Sequence, residues 1–261
     1  MSRPAFEDAW RRRFEEFATL RDDDAGIAGW SSSGLDIRFR HFLRVWEESA
    51  HGKAWLDAGC GAGTYSRYLA SWGADVVGLD YCQPAAAKAK ARDTWNCRWA
   101  VADVTRLPLK PGGVDGVLCF GVMQALADSA PAVRELVAQV GEGGEVWLDA
   151  LNAICVANVL QRVSRWLRGK PVHLRYESPR RMKRLMEKAG LVDVRIHWIP
   201  IMPARFKAFQ PIVESGVVRA LLRHVPGLGA LLSHSCLLVG TKPGRPGLKP
   251  IAPLIDDYIM P

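Results

Sequence analysis

The residues whose types and spacing could do chemistry run from Leu56 to Gly63, reading Leu-Asp-Ala-Gly-Cys-Gly-Ala-Gly. The apolar run Ala54-Trp55-Leu56 leads into them and Thr64-Tyr65-Ser66-Arg67-Tyr68-Leu69 follows, a pattern of strand, glycine turn and helix. Glycines at such a turn let the backbone come close to a ligand. The helix start behind them offers free N–H groups to an anionic group. A second apolar run, Asp75 to Leu79, ends in Asp80. An acid roughly 20 residues past the turn is placed to accept both hydroxyls of a ribose. The chemistry is that of a nucleotide-like ligand held at the carboxyl ends of parallel strands.

The elements that must position these groups alternate in type. A helix is expected over 84–92, a strand over 97–102 closing on Asp103, and a strand over 114–120. A helix over 131–140, a turn at Gly141-Glu142-Gly143-Gly144 and a strand over 145–150 follow. This alternation predicts an α/β fold with a mostly parallel sheet. Ser178 and Pro179 open a further helix that Gly190 ends. Strands are expected over 192–200 and 235–241. Ahead of the sheet, Phe6, Trp10, Phe14 and Phe17 form an aromatic stripe at helical spacing. A second helix over 35–48 carries Phe39, Phe42, Leu43 and Trp46 on one face. Core packing accounts for these aromatics. The functional alternative makes residues 1–50 a helical lid, with Trp30 and Arg38 reaching the pocket to exclude water.

The segment Leu56 to Gly63 resembles motif I of the class I S-adenosylmethionine-dependent methyltransferases. Val77-Gly78-Leu79-Asp80 is similar to the acidic end of their second strand, and Ala102-Asp103-Val104-Thr105-Arg106-Leu107-Pro108 to their third-strand motif. Val114 to Gln124 resembles their fourth-strand segment. The resemblance runs from about Ala54 to Ala150 and implies a Rossmann-like doubly wound, mostly parallel seven-stranded sheet with a late antiparallel hairpin. It implies S-adenosylmethionine as cofactor. Gly59, Cys60, Gly61 and Gly63 would lie under its methionine part, with Asp57 near the amino group. Asp80 would take the ribose, Tyr81 the adenine face, and Asp103 with the Val104 N–H the adenine edge. Phe120 would line the sulfonium end. The expected domain is 51–242, followed by a proline-rich tail at 243–261.

Other readings are disfavoured on the residues. A nicotinamide fingerprint wants a third glycine where Thr64 stands. The net charge of +8 invites a nucleic-acid partner, but the basic residues fall in separate helical stretches. Cys119-Phe120-Gly121-Val122 lacks the acidic-proline-aromatic signature of amino-directed nucleic-acid methyltransferases, and no Pro-Cys pair of cytosine-C5 enzymes occurs. The six cysteines show neither metal-ligand nor redox-pair spacing, so no metal is expected and a cytoplasmic, reduced protein is the expectation. No leader and no membrane span are expected.

Acceptor choice is expected outside the cofactor half. Residues 152–177 read as a basic amphipathic insertion bearing Trp166, either a cap over the pocket or a membrane-surface helix. With the apolar stretch 217–238, it points to a small hydrophobic acceptor, with a quinone- or lipid-modifying enzyme peripheral to the inner face of a membrane as the alternative. A hydroxyl acceptor needs a base within hydrogen-bond reach. His173 is the candidate, with Tyr176 as its neighbour in the lid. A catalytically silent cofactor-binding homologue is the remaining alternative. The acceptor's identity and the oligomeric state are not fixed by the sequence.

Overall fold

The computed structural model describes residues 3–46, 50–170, 174–202, 204–225 and 227–244. Three helices come first: α1 (Arg3–Leu20), α2 (Asp24–Ile27) and α3 (Ser32–Val45). The central half then alternates as expected: β1 (Ala54–Ala58), α4 (Thr64–Ser71), β2 (Asp75–Asp80), α5 (Gln83–Ala91), β3 (Arg98–Val101), β4 (Val114–Cys119), α6 (Ser129–Gln139) and β5 (Val140–Leu151). Beyond it come α7 (Val156–Leu167), α8 (Pro179–Lys188), β6 (Val192–Ile199), α9 (Gln210–Val213), α10 (Gly216–His224), α11 (Leu228–Leu232) and β7 (Ser235–Thr241).

The strands form one seven-stranded sheet in the order β3-β2-β1-β4-β5-β7-β6. Pairings among β1 to β5 are parallel, whereas β7 runs antiparallel to both β5 and β6. This is the Rossmann-like, mostly parallel seven-stranded sheet with late antiparallel strands that the resemblance implies. The strand order reverses between β1 and β4, and a ligand crevice opens at the carboxyl ends beside such a reversal.

Side-chain alternation builds a core on each face of the sheet. Leu56, Val117, Leu148 and Leu238 point to one side, where they meet Leu136 of α6 and Met182 of α8. Trp55, Leu118, Trp147 and Leu237 point to the other and meet Phe42 of α3 and Leu69 of α4. Phe42 is fully buried and packs edge-on against Trp147, Phe120 and Tyr65. The second aromatic helix is therefore part of the core. A small third cluster, Ala18, Ile27, Ala62, Cys82 and Ala85, joins the first two helices to the glycine turn and α5.

Two elements differ from the sequence expectation. The fifth strand starts at Val140, because the glycine run expected as a turn continues it as a bulged strand, with a register shift between Val114 and Gly116. A Cβ at Gly144 would lie 2.4 Å from the Asp115 carbonyl oxygen, so only glycine allows the strands this close. The stretch between β6 and β7, read from sequence only as apolar, folds into a 3₁₀ segment (Ala204–Phe209) and the short helices α9 to α11. Their lengths are too short for helical periodicity to emerge. Among the described residues, no helix is long and apolar enough to cross a membrane.

Candidate active site

The loop between β1 and α4 owes its shape to its glycines. Gly59, Gly61 and Gly63 have φ of +80°, +53° and +78°, the left-handed region that side chains disfavour. A Cβ on Gly59 would also meet Val122 Cγ2 at 2.2 Å. The Gly59 and Cys60 N–H groups donate to the Leu79 carbonyl at 2.7 and 3.0 Å, which pins the loop to the end of β2. Asp80 completes the lock. Its carboxylate accepts from Gly61 N and from Cys82 N, both at 2.8 Å. Burial outweighs these two bonds, so the Asp80 carboxyl lies above the usual carboxylate range.

Asp57, at the end of β1, is almost fully buried and accepts a 2.6 Å bond from the Ser66 hydroxyl on α4. Burial is again the larger influence and pushes its pKa up to about 6; Ser66 opposes it, and the neighbouring Asp80 adds to it. The Tyr65 hydroxyl is buried without a hydrogen-bond partner, so this side wall of the site presents an unused polar atom. Burial also raises the Cys60 thiol well above its ordinary pKa, which leaves it a neutral packing group.

These groups line one cleft. Asp57, Gly59, Cys60, Gly61, Asp80 and Tyr81 line it, as do Asp103, Val104 and Phe120. Gly63 does not. It starts α4 behind the loop, where Trp99 fills the space a Cβ would need, 2.5 Å from Trp99 Cη2. Asp103 is tied to the backbone N–H and hydroxyl of Thr105 at 2.8 and 2.7 Å, which fixes the turn after β3.

Helix α1 spans the cleft, packing on α5 at one side and on the 3₁₀ turn Met123–Ala125 at the other. Glu7, Asp8, Arg11 and Phe14 line the cleft, and Phe14 meets the Tyr81 ring edge-on at 6.0 Å. The lid alternative for residues 1–50 named only Trp30 and Arg38 as reaching the pocket, and missed Phe14 and this acidic and basic edge. It also missed Asp24. That carboxylate accepts from Thr64 Oγ1 and from Arg67 Nη2, both at 2.6 Å, and so joins α2 to the first turn of α4. Its signal in the sequence is only an acid run before a small-residue turn.

The proposed lid residues separate. Trp30 lines the cleft, held by Gly121 on one side and by the Arg38 guanidinium 4.6 Å from its ring centre. Arg38 is not a lining residue: it is buried and paired with Asp149, Nε to Oδ2 at 3.3 Å. Asp149 in turn accepts from the Gly121 N–H at 2.6 Å. Tyr176 also lies away from the cleft, its hydroxyl 3.3 Å from Gln161 Oε1 and its ring beneath Arg162. No described residue of 152–177 is among those that line the cleft. His173 lies outside the described residues.

A methyltransferase-domain family profile matches residues 56–148, the strands and turns that build this cleft. The chain is 25% identical over 174 residues to the ubiquinone biosynthesis O-methyltransferase of Idiomarina loihiensis, which covers 63% of this chain and 72% of that one. The chain carries a methyltransferase domain of the class I, S-adenosylmethionine-dependent type. Among solved structures, an S-adenosylmethionine-dependent methyltransferase from Mesorhizobium loti shares the fold at TM-score 0.57 and 17% identity, covering 82% of this chain and all of that one. So does the magnesium protoporphyrin IX methyltransferase of Synechocystis with bound S-adenosylhomocysteine, at TM-score 0.56 and 15% identity over 92% and 97% of the chains. The unpartnered Tyr65 hydroxyl and the side-chain-free glycine loop fit such a polar, close-lying cofactor.

Proposed function

We propose that the methyltransferase transfers its methyl group to a hydroxyl oxygen of a small hydrophobic acceptor. The observation that carries this reading is the apolar wall Trp30, Leu35, Phe120, Ala125 and Leu126, continuous with the glycine loop in one cleft. The O-methyltransferase function named for the curated relative supports the choice of oxygen.

In this reading the loop of Gly59, Cys60 and Gly61 carries the methionine part of the cofactor and Asp57 faces its ammonium group. Asp80 holds the ribose, Tyr81 and Phe14 flank the adenine, and Asp103 with the Val104 N–H reads its edge. When bound, the cofactor supplies the electrophilic methyl group. The chain's own task is to hold the acceptor oxygen about 3 Å from that carbon, in line with the bond that breaks. Trp30 and Phe120 orient the acceptor ring and keep water out. Among the described residues no histidine lines the cleft. A phenol whose own pKa is modest needs orientation more than a base, and that is the acceptor class we assign. Incubation with methyl-labelled cofactor and a panel of phenols, amines and carbon acids tests this. Label in O-methyl ethers is expected, and label confined to amines or carbon would contradict it.

The Asp57 pKa of about 6, against an ordinary 3.8, sets two pH effects of opposite sign. A buried carboxyl with a raised pKa favours the protonated fold, so the ligand-free protein is expected to lose stability as pH rises from about 4 through about 6. An ammonium group prefers the ionised form, so affinity for S-adenosylhomocysteine is expected to rise through the same window. Melting curves and titrations across it check both, and Asp57→Asn is expected to reduce both, the raised Asp80 and Asp149 carboxyls leaving a residual stability slope.

A further inference from the structure

Helix α7 is mounted with its apolar side outward. Its one buried residue is Asn158, 1% exposed, whose amide donates 2.8 Å bonds to the carbonyl oxygens of Asn152 and His234. Val156, Val159, Leu160, Val163, Trp166 and Leu167 recur at spacings of three and four and so share the opposite face. That face is bare: Trp166 is 76% and Leu160 63% exposed. The helix is held to the fold by a polar residue while its hydrophobic side meets solvent, the reverse of ordinary packing.

The bare surface extends to the helices unforeseen from the sequence. Helix α11 packs against α7 and α10, and α10 packs against α9. Ile212, Val217, Leu221 and Leu232 on these helices are all exposed. Exposed apolar area of this extent marks a contact with another phase or partner.

Charge selects the occupant. Residues 154–170 contain Arg162, Arg165, Arg168 and Lys170 and no acid. Residues 206–234 contain Lys207, Arg219 and Arg223 with a single acid, Glu214, which is buried and turned inward to Arg40 and Arg44. A two-fold contact with a second copy would set this cationic face against itself. A nucleic acid would leave the apolar centre bare. An amphipathic face of tryptophan and leucine rimmed by Arg and Lys matches the boundary of an anionic bilayer.

We propose that α7 together with α9 to α11 forms a docking face for an anionic lipid surface, which would bring the enzyme to a membrane-dissolved acceptor. Only that last clause rests on the acceptor class proposed above.

Flotation with phosphatidylcholine vesicles, with and without phosphatidylglycerol, tests the inference. The protein is expected to float with the anionic vesicles, less at high salt, and weakly with phosphatidylcholine alone. Leu160→Glu/Trp166→Glu replaces exposed side chains and is expected to lower the apparent lipid affinity by roughly tenfold or more, with melting and S-adenosylhomocysteine binding unchanged. Wild-type protein that stays with the aqueous phase would overturn the proposal, as would a double variant that floats as well as wild type. A dimer in sedimentation equilibrium that the same variant dissociates, without lipid binding, would assign the face to a second copy. Flotation without cofactor binding would leave the docking face standing and remove the catalytic reading.

Discussion

Asp149→Ala is expected to cost about 3–5 kcal/mol of folding stability, the usual consequence of stranding one partner of a buried ion pair. Arg38 and Asp149 are 9% and 3% exposed, and their contact at 3.3 Å is ionic, without hydrogen-bond geometry at Arg38 Nε. Burial outweighs Arg38 and the Gly121 N–H in setting the Asp149 carboxyl, which lies above the usual carboxylate range. The pair therefore costs solvation that its own attraction does not fully return, yet neither partner can be removed alone. Truncation at Asp149 leaves a guanidinium in the core and the Gly121 N–H without its 2.6 Å acceptor. Urea unfolding with an unchanged slope is the appropriate check. The double variant Arg38→Met/Asp149→Asn is expected to recover most of the loss, because asparagine keeps an acceptor for Gly121 and methionine needs no counter-charge. A loss below about 1 kcal/mol for Asp149→Ala would show the pair to be solvated and the account of the Trp30 support wrong.

Gly59→Ala is expected to weaken S-adenosylhomocysteine binding by roughly 10- to 100-fold, equivalent to about 1.4–2.7 kcal/mol. Two separable effects contribute. The backbone at φ +80° disfavours any side chain, and the new methyl would lie 2.2 Å from Val122 Cγ2 on the facing turn after β4. That turn lines the same cleft, so relief of the clash must move either the loop or Val122 within the site. Adding Val122→Ala removes the clash and leaves the backbone strain, so the pair of substitutions is expected to recover part of the affinity and not all of it. Calorimetric titration of the four proteins gives the coupling between the two positions directly. Full affinity in Gly59→Ala alone would mean that the cofactor does not lie on this loop.

What the sequence revealed follows the range of the interactions. The glycine loop, Asp57, Asp80 and the strand ends at Asp103 and Phe120 were legible because each sits at a fixed offset from a strand whose apolar pattern is local. The bulged start of β5 was not, since it depends on Gly144 meeting a carbonyl of β4. Asp24 and Glu7 were not legible either. Their roles arise when α1 and α2 fold back over the cleft, Asp24 onto Thr64 and Arg67, and Glu7 onto the Ala127 N–H at 3.0 Å. Arg38 was read as a pocket residue from its place on an aromatic helix, and only the packing against Asp149 turns it into a support behind Trp30. The amphipathic pattern of α7 was plain, but periodicity alone does not say which face a helix buries. Asn158, a single polar residue, decides it.

The most direct test of the central claim is calorimetric titration of the wild-type protein and of Asp80→Ala with S-adenosylhomocysteine. One site of micromolar affinity is expected, weakened in the variant by about 1.5–3 kcal/mol, the scale of hydrogen bonds to a charged group. No binding by folded wild-type protein would contradict the cofactor assignment, and equal binding by both would remove Asp80 from the site.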